Sequence, residues 1–201
     1  MQYILMRHEN EDRFDHIYDQ IEKIGKLRKN SLDYKQIVER MASVLVDPRE
    51  HYVHDEVIEF ARLRDEQRLA NEKKALEEGV EMAPVRPNRL LVAATRIKQL
   101  STGYTGITIA YNQSLRTEVT ARAISRVTGG ILEEGKLYEG DDVRRWMQNH
   151  KEEEGLAVIV THQPTIAAVL GKNAQNCDAF LVGEASGRYR AIEIINLEGR
   201  I

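Results

Sequence analysis

The sequence lacks most of the features that would narrow its class at once. Cys177 is the only cysteine, so no intrachain disulfide can form and a cytosolic setting is favoured. No stretch approaches the roughly 20 apolar residues that a membrane span requires. The N-terminus has no basic stretch followed by an apolar one, as a secretory leader would have, and the expectation is a cytoplasmic protein. A formal charge of -3 gives no electrostatic reason to expect nucleic acid or an anionic membrane as a general partner. Repeats and low-complexity segments are absent too. What remains is a soluble-type composition, 42% hydrophobic and 30% charged, on a 201-residue chain long enough to bury a core.

The charge is unevenly placed. From about Glu11 to Met82 the chain is rich in charge, shows no strand-like alternation and reads as helices. Apolar residues at spacings of three and four predict a first helix over Arg13 to Leu27, with Phe14, Ile17, Ile21 and Ile24 on one face. A second begins after Asn30 or Ser31 and runs to Val46, with Tyr34, Ile37, Val38, Met41 and Leu45 inward. A third, with a sparser stripe, covers His51 to Glu78. His51 and His54 have helical spacing, but no further ligand clusters with them, so no metal site is expected.

The rest alternates strand and helix. Strands are predicted at Gln2–Met6, at ITIAY ahead of Asn112, at ILEE after Gly130 and at LAVIV over 156–160. Helices are predicted from Asn88 to Leu100, Leu115 to Val127, Asp141 to His150 (capped by Asp141 or Asp142), and after His162 through Leu170. Ala179–Val182 and Tyr189–Ile195, either side of a Gly-containing turn, predict an edge hairpin. This order implies a single α/β domain over 1–201: a three-layer α/β/α sandwich with a mostly parallel sheet and a helical insertion at about 11–85.

In open α/β sheets, ligands bind beyond the carboxyl ends of the strands. The first strand ends in Arg7-His8, the second leads to Asn112 with Arg116 just inside the next helix, and the third ends in Thr161-His162. As parallel neighbours these strands would gather two histidines, two arginines and two helix N-termini in one crevice. That set has the wrong sign for a cation and the right one for phosphate, whose oxygens match guanidinium forks and backbone N–H groups. A neutral imidazole there can also attack phosphorus and hold the phosphoryl group covalently.

Strand-Arg7-His8, then Arg116-Thr-Glu-Val-Thr120-Ala121, then VIVTHQP resembles the histidine phosphatase (phosphoglycerate mutase-like) superfamily. The His162-Gln163-Pro164 form is most similar to its small phosphohistidine-phosphatase-type members. The resemblance covers residues 1–10 and about 86–201. It implies His8 as nucleophile, with Arg7, Arg116 and His162 completing the phosphate pocket, and no cofactor or metal. The family's acid corresponds to Glu139 in Leu137-Tyr138-Glu139, with Glu133 a competing candidate. The chain departs from the family at Glu9, where a Gly is usual, and at Asn112-Gln113, where Ser-Pro is usual.

The expected function is hydrolysis of a phosphomonoester or phosphohistidine through a phosphohistidine on His8, without metal. The alternative from another class is a pseudophosphatase that binds a phosphorylated ligand or serves as a scaffold. The expected partner is a phosphorylated small molecule or phosphoprotein. The insertion, starting directly after His8, is expected to form a lid or a homodimer surface.

Overall fold

The computed structural model describes residues 1–8, 32–46 and 89–195. The predicted helices at 13–27 and 51–78, the His51/His54 pair and Glu9 lie outside the described residues. The chain divides into two compact units, Met1–Asn10 with Arg89–Ile201, and Glu11–Asn88.

Of the second unit, the described part is helix α1 (Leu32–Val46), which matches the helix expected up to Val46. Val38 and Met41, three apart on the predicted apolar stripe, are buried, as are Ala42 and Ser43.

The first unit holds strands β1 (Gln2–Arg7), β2 (Ile107–Tyr111), β3 (Ile131–Glu134), β4 (Leu156–Thr161), β5 (Ala179–Ala185) and β6 (Arg188–Ile194). Its helices are α2 (Arg89–Ser101), α3 (Leu115–Thr128), α4 (Gly140–Asn149) and α5 (Gln163–Leu170). The strands form one sheet in the order β3-β2-β4-β1-β5-β6. Strands β3, β2, β4 and β1 pair in parallel; β5 is antiparallel to both its neighbours. Thus β2, β4 and β1 are parallel neighbours, the arrangement that the strand-end motifs require.

Side chains alternate across the sheet and both faces are covered. Tyr3, Leu5, Ala110, Ala157, Ile159, Phe180 and Val182 share one core with Val143, Trp146 and Met147 of α4 and Ile166 and Val169 of α5. The alternate residues Ile4, Met6, Ile109, Val158 and Val160 are buried on the other face. There α3 packs on β2, β3 and β4, and α2 packs on α3. The result is the expected α/β/α sandwich with a mostly parallel sheet.

Two turns explain local choices of residue. Gly155 enters β4 at φ 124, and a Cβ there would lie 2.9 Å from the Gly106 carbonyl oxygen, so only glycine fits. The β5–β6 hairpin turns through Ser186 and Gly187, both at positive φ, whose twist matches that of the paired strands.

One cap differs from expectation. Helix α4 is capped by Glu139, not by Asp141 or Asp142. Asp142 instead reaches back to accept from the Glu139 N–H at 3.3 Å, so the aspartates occupy the first turn, where the helix dipole favours negative charge.

Candidate active site

The site begins with strand register. Arg7 pairs with Thr161 at the carboxyl ends of β1 and β4. The His8 N–H then donates to the Thr161 carbonyl at 3.1 Å, which carries the pairing one step past both strands. His8 and His162 therefore leave the sheet side by side, with ring centroids 4.9 Å apart and planes at 75°. His8 is buried, at 5% exposure, while His162 is half-buried.

His162 is also the N-cap of α5, with extended backbone and no side-chain cap on the helix end. The proline of His162-Gln163-Pro164 falls in the first turn, where a missing N–H costs nothing. A helix end of this kind offers backbone donors to an anion.

Both arginines act on this histidine. Burial first, then the charge of Arg116, then that of Arg7, lower the His162 pKa from its ordinary value of 6.5. Each cause opposes the imidazolium, so the ring is held neutral in a locally positive setting. Arg7 donates from Nη1 to the Ala174 carbonyl at 2.7 Å, while its buried Nε has no hydrogen-bond partner among the described residues. A buried donor without an acceptor is costly, and an anion oxygen would satisfy it.

Arg116 is delivered by a turn built around Asn112. That side chain is fully buried; its Oδ1 accepts from the Ser114 N–H at 3.0 Å and from the Thr117 hydroxyl at 2.7 Å. Ser114 then caps α3, accepting from the Thr117 N–H. Asn112 thus supplies the turn at one of the two positions where the chain departs from the family pattern.

The two candidate acids stand in different places. Glu133 lies on β3 opposite Ala110, and its Oε1 accepts from Trp146 Nε1 at 2.8 Å. The His150 ring stacks on Trp146, with its Nε2 3.7 Å from the same carboxylate. Glu133 is committed to that cluster under α4.

Glu139 is exposed and follows a segment clasped to the strand ends. Thr161 donates to the Leu137 carbonyl at 2.9 Å, and Thr165 donates to the Tyr138 carbonyl at 2.6 Å. The Gln113 N–H donates to the Tyr138 hydroxyl at 3.1 Å, and Leu137 itself is fully buried. Sequence reasoning missed these supports: the two threonines flanking His162 were the available signal, since Thr161 is a hydroxyl in an otherwise apolar strand.

No group of three or more His, Cys, Asp or Glu among the described residues is arranged to hold a metal ion. No helix of the described residues is long and apolar enough to cross a membrane.

No protein-family model matches the chain, and no curated protein matches it in sequence. Solved structures do. A mycobacterial glucosyl-3-phosphoglycerate phosphatase in complex with VO3 is 10% identical, with 96% of this chain and 97% of that chain covered at a TM-score of 0.48. A phosphoserine phosphatase mutant from Entamoeba histolytica, in complex with phosphoserine, is 10% identical over 96% of each chain at 0.42. SixA of Agrobacterium tumefaciens is 16% identical, covering 57% of this chain and 88% of that chain at 0.39.

Proposed function

We propose that the protein is a phosphatase that hydrolyses a phosphomonoester or phosphohistidine through a covalent phosphohistidine on His8. The observation that carries this reading is the pair of adjacent imidazoles, His8 and His162, with Arg116 and Arg7 both acting on the second. The guanidinium of Arg7, whose Nε is unpartnered among the described residues, suits one phosphate oxygen, and Arg116 suits another.

With a phosphomonoester, a neutral His8 ring nitrogen attacks phosphorus and the P–O bond to the leaving group breaks. Glu139, as a carboxylic acid, gives its proton to the departing alkoxide. The resulting carboxylate then takes a proton from water, which attacks phosphorus. The P–N bond breaks, and His8 and inorganic phosphate are released. Arg7, Arg116 and His162 stabilise the charge that develops on the equatorial oxygens in both steps. No metal takes part in this scheme. The segment at 11–85, which follows His8 directly, is proposed to choose the substrate or to pair two copies.

The test is burst kinetics with a chromogenic aryl phosphate in the presence of a chelator, on wild type and His8→Ala. The reading expects chelator-insensitive turnover that the substitution abolishes. Tight phosphate binding by a wild type that does not turn over would replace it with a phosphate-binding protein.

A further inference from the structure

The guanidinium of Arg7 is held by one residue, Ala174. Its Nη1 donates to the carbonyl of Ala174 at 2.7 Å, and the N–H of the same residue donates to the side-chain Oε1 of Gln163 at 2.6 Å. Gln163 Nε2 in turn donates to Asn173 Oδ1. The same stretch is tied to β1 by the Arg7 N–H donating to the Asp178 carbonyl at 3.0 Å. Gln163 is the first residue of α5, directly after His162, so one backbone step separates a site imidazole from the brace of a site guanidinium.

We infer that Gln163 is a positioning residue that fixes Arg7 for phosphate, acting through the Asn173–Ala174 segment. This rests on the proposed phosphate pocket. The chemistry suits the task. A guanidinium has five donors in a planar fork, and its aim depends on which donors are already engaged. Ala174 engages Nη1 and leaves Nε available. Ala174 has no polar side chain, so its placement comes from the two peptides that flank it: the N–H of one donates to Gln163 Oε1, and the N–H of the other, that of Gln175, donates to Asp178 Oδ2 at 2.8 Å. A primary amide at 163 accepts from Ala174 and donates to Asn173 at once, without adding charge to an anion site.

The measurement is the affinity for inorganic phosphate, by calorimetry and as competitive inhibition of aryl phosphate turnover, in a double-mutant cycle of Gln163→Ala and Arg7→Ala. Gln163→Ala is expected to weaken phosphate about 3- to 10-fold, the effect of one or two lost hydrogen bonds. It should raise KM by a similar factor and leave the fold cooperative. In the Arg7→Ala background the same substitution is expected to change phosphate affinity less than twofold, because its effect runs through the missing guanidinium. Asn173→Ala, which leaves the Gln163–Ala174 bond in place, should act in the same direction but more weakly, and serves if Gln163→Ala folds poorly. Equal effects of Gln163→Ala with and without Arg7 would overturn the inference, as would unchanged phosphate affinity in both single variants. A wild type that binds no phosphate would overturn the pocket itself, an outcome distinct from either.

Discussion

The His8 and His162 rings meet edge to face, 4.9 Å between centroids, because β1 and β4 are parallel neighbours in a register that pairs Arg7 with Thr161. Residues far apart in the chain become adjacent through a single ladder, and the hydrogen bond from the His8 N–H to the Thr161 carbonyl extends that ladder to the histidines. A slip of one residue would send one imidazole to the opposite face of the sheet. The register is held by the apolar side chains of Ile4, Leu5, Val158 and Ile159, all fully buried.

The first prediction concerns His162. Its pKa lies below 6.5 in the free protein, through burial, Arg116 and Arg7. The unfolded chain therefore binds a proton near pH 6.5 that the native site refuses. Stability from this group is fully present above pH 6.5 and is lost as pH falls toward the lowered native value. Phosphate should reverse the shift, since an anion favours the imidazolium, and Arg116→Gln should raise the pKa without phosphate. Imidazole titration by NMR checks both; a His162 shift indifferent to phosphate and to Arg116 would contradict the pocket.

The two carboxylates should separate by phenotype. Glu139→Gln removes the proposed proton donor and should slow alkyl phosphate hydrolysis by about 10²–10⁴-fold. Aryl phosphates, whose leaving groups need less protonation, should lose much less. Glu133→Gln should leave turnover nearly intact, since Glu133 serves Trp146 and His150. Steady-state rates against a series of leaving groups decide the matter, and a reversed pattern would assign the acid to Glu133.

Thr161→Val keeps volume but removes the hydroxyl that donates to the Leu137 carbonyl. The loss of a buried hydrogen bond at a fully buried residue should cost about 1–3 kcal/mol of stability. Because it frees the segment leading to Glu139, kcat for alkyl phosphates should fall more than affinity for inorganic phosphate. Denaturant unfolding combined with a kcat and phosphate-affinity comparison tests this; equal losses in the two would point to general loosening of the site.

Much of the unit that carries His8 and His162 was legible in the chain, for physical reasons that differ by residue. Leu156–Val160 announced a buried parallel strand because its two faces are both covered, and Arg7, His8 and His162 drew notice as polar side chains ending apolar runs. The hairpin at the sheet edge was readable from Gly187 and the flanking β-rich runs. Less legible was anything fixed by contacts across the fold. Glu133 and Glu139 look alike along the chain, and only Trp146 packing over β3 divides them. The cap of α4 was misplaced because Asp141 and Asp142 are the commoner cap types, whereas a reciprocal bond between Glu139 and Asp142 set the boundary. Gln163 and Thr165 act on backbone groups of other segments, those at Ala174 and Tyr138, and no local spacing signals such partners.

The central claim is that His8 carries the phosphoryl group, and the most direct measurement is intact-protein mass spectrometry after rapid mixing with an aryl phosphate. Quenching under alkaline conditions would preserve a phosphohistidine. The account predicts transient gain of one phosphoryl group, mapped to the N-terminal peptide containing His8 and absent from His8→Ala. Steady turnover with no phosphorylated protein, or labelling that persists in His8→Ala, would contradict it.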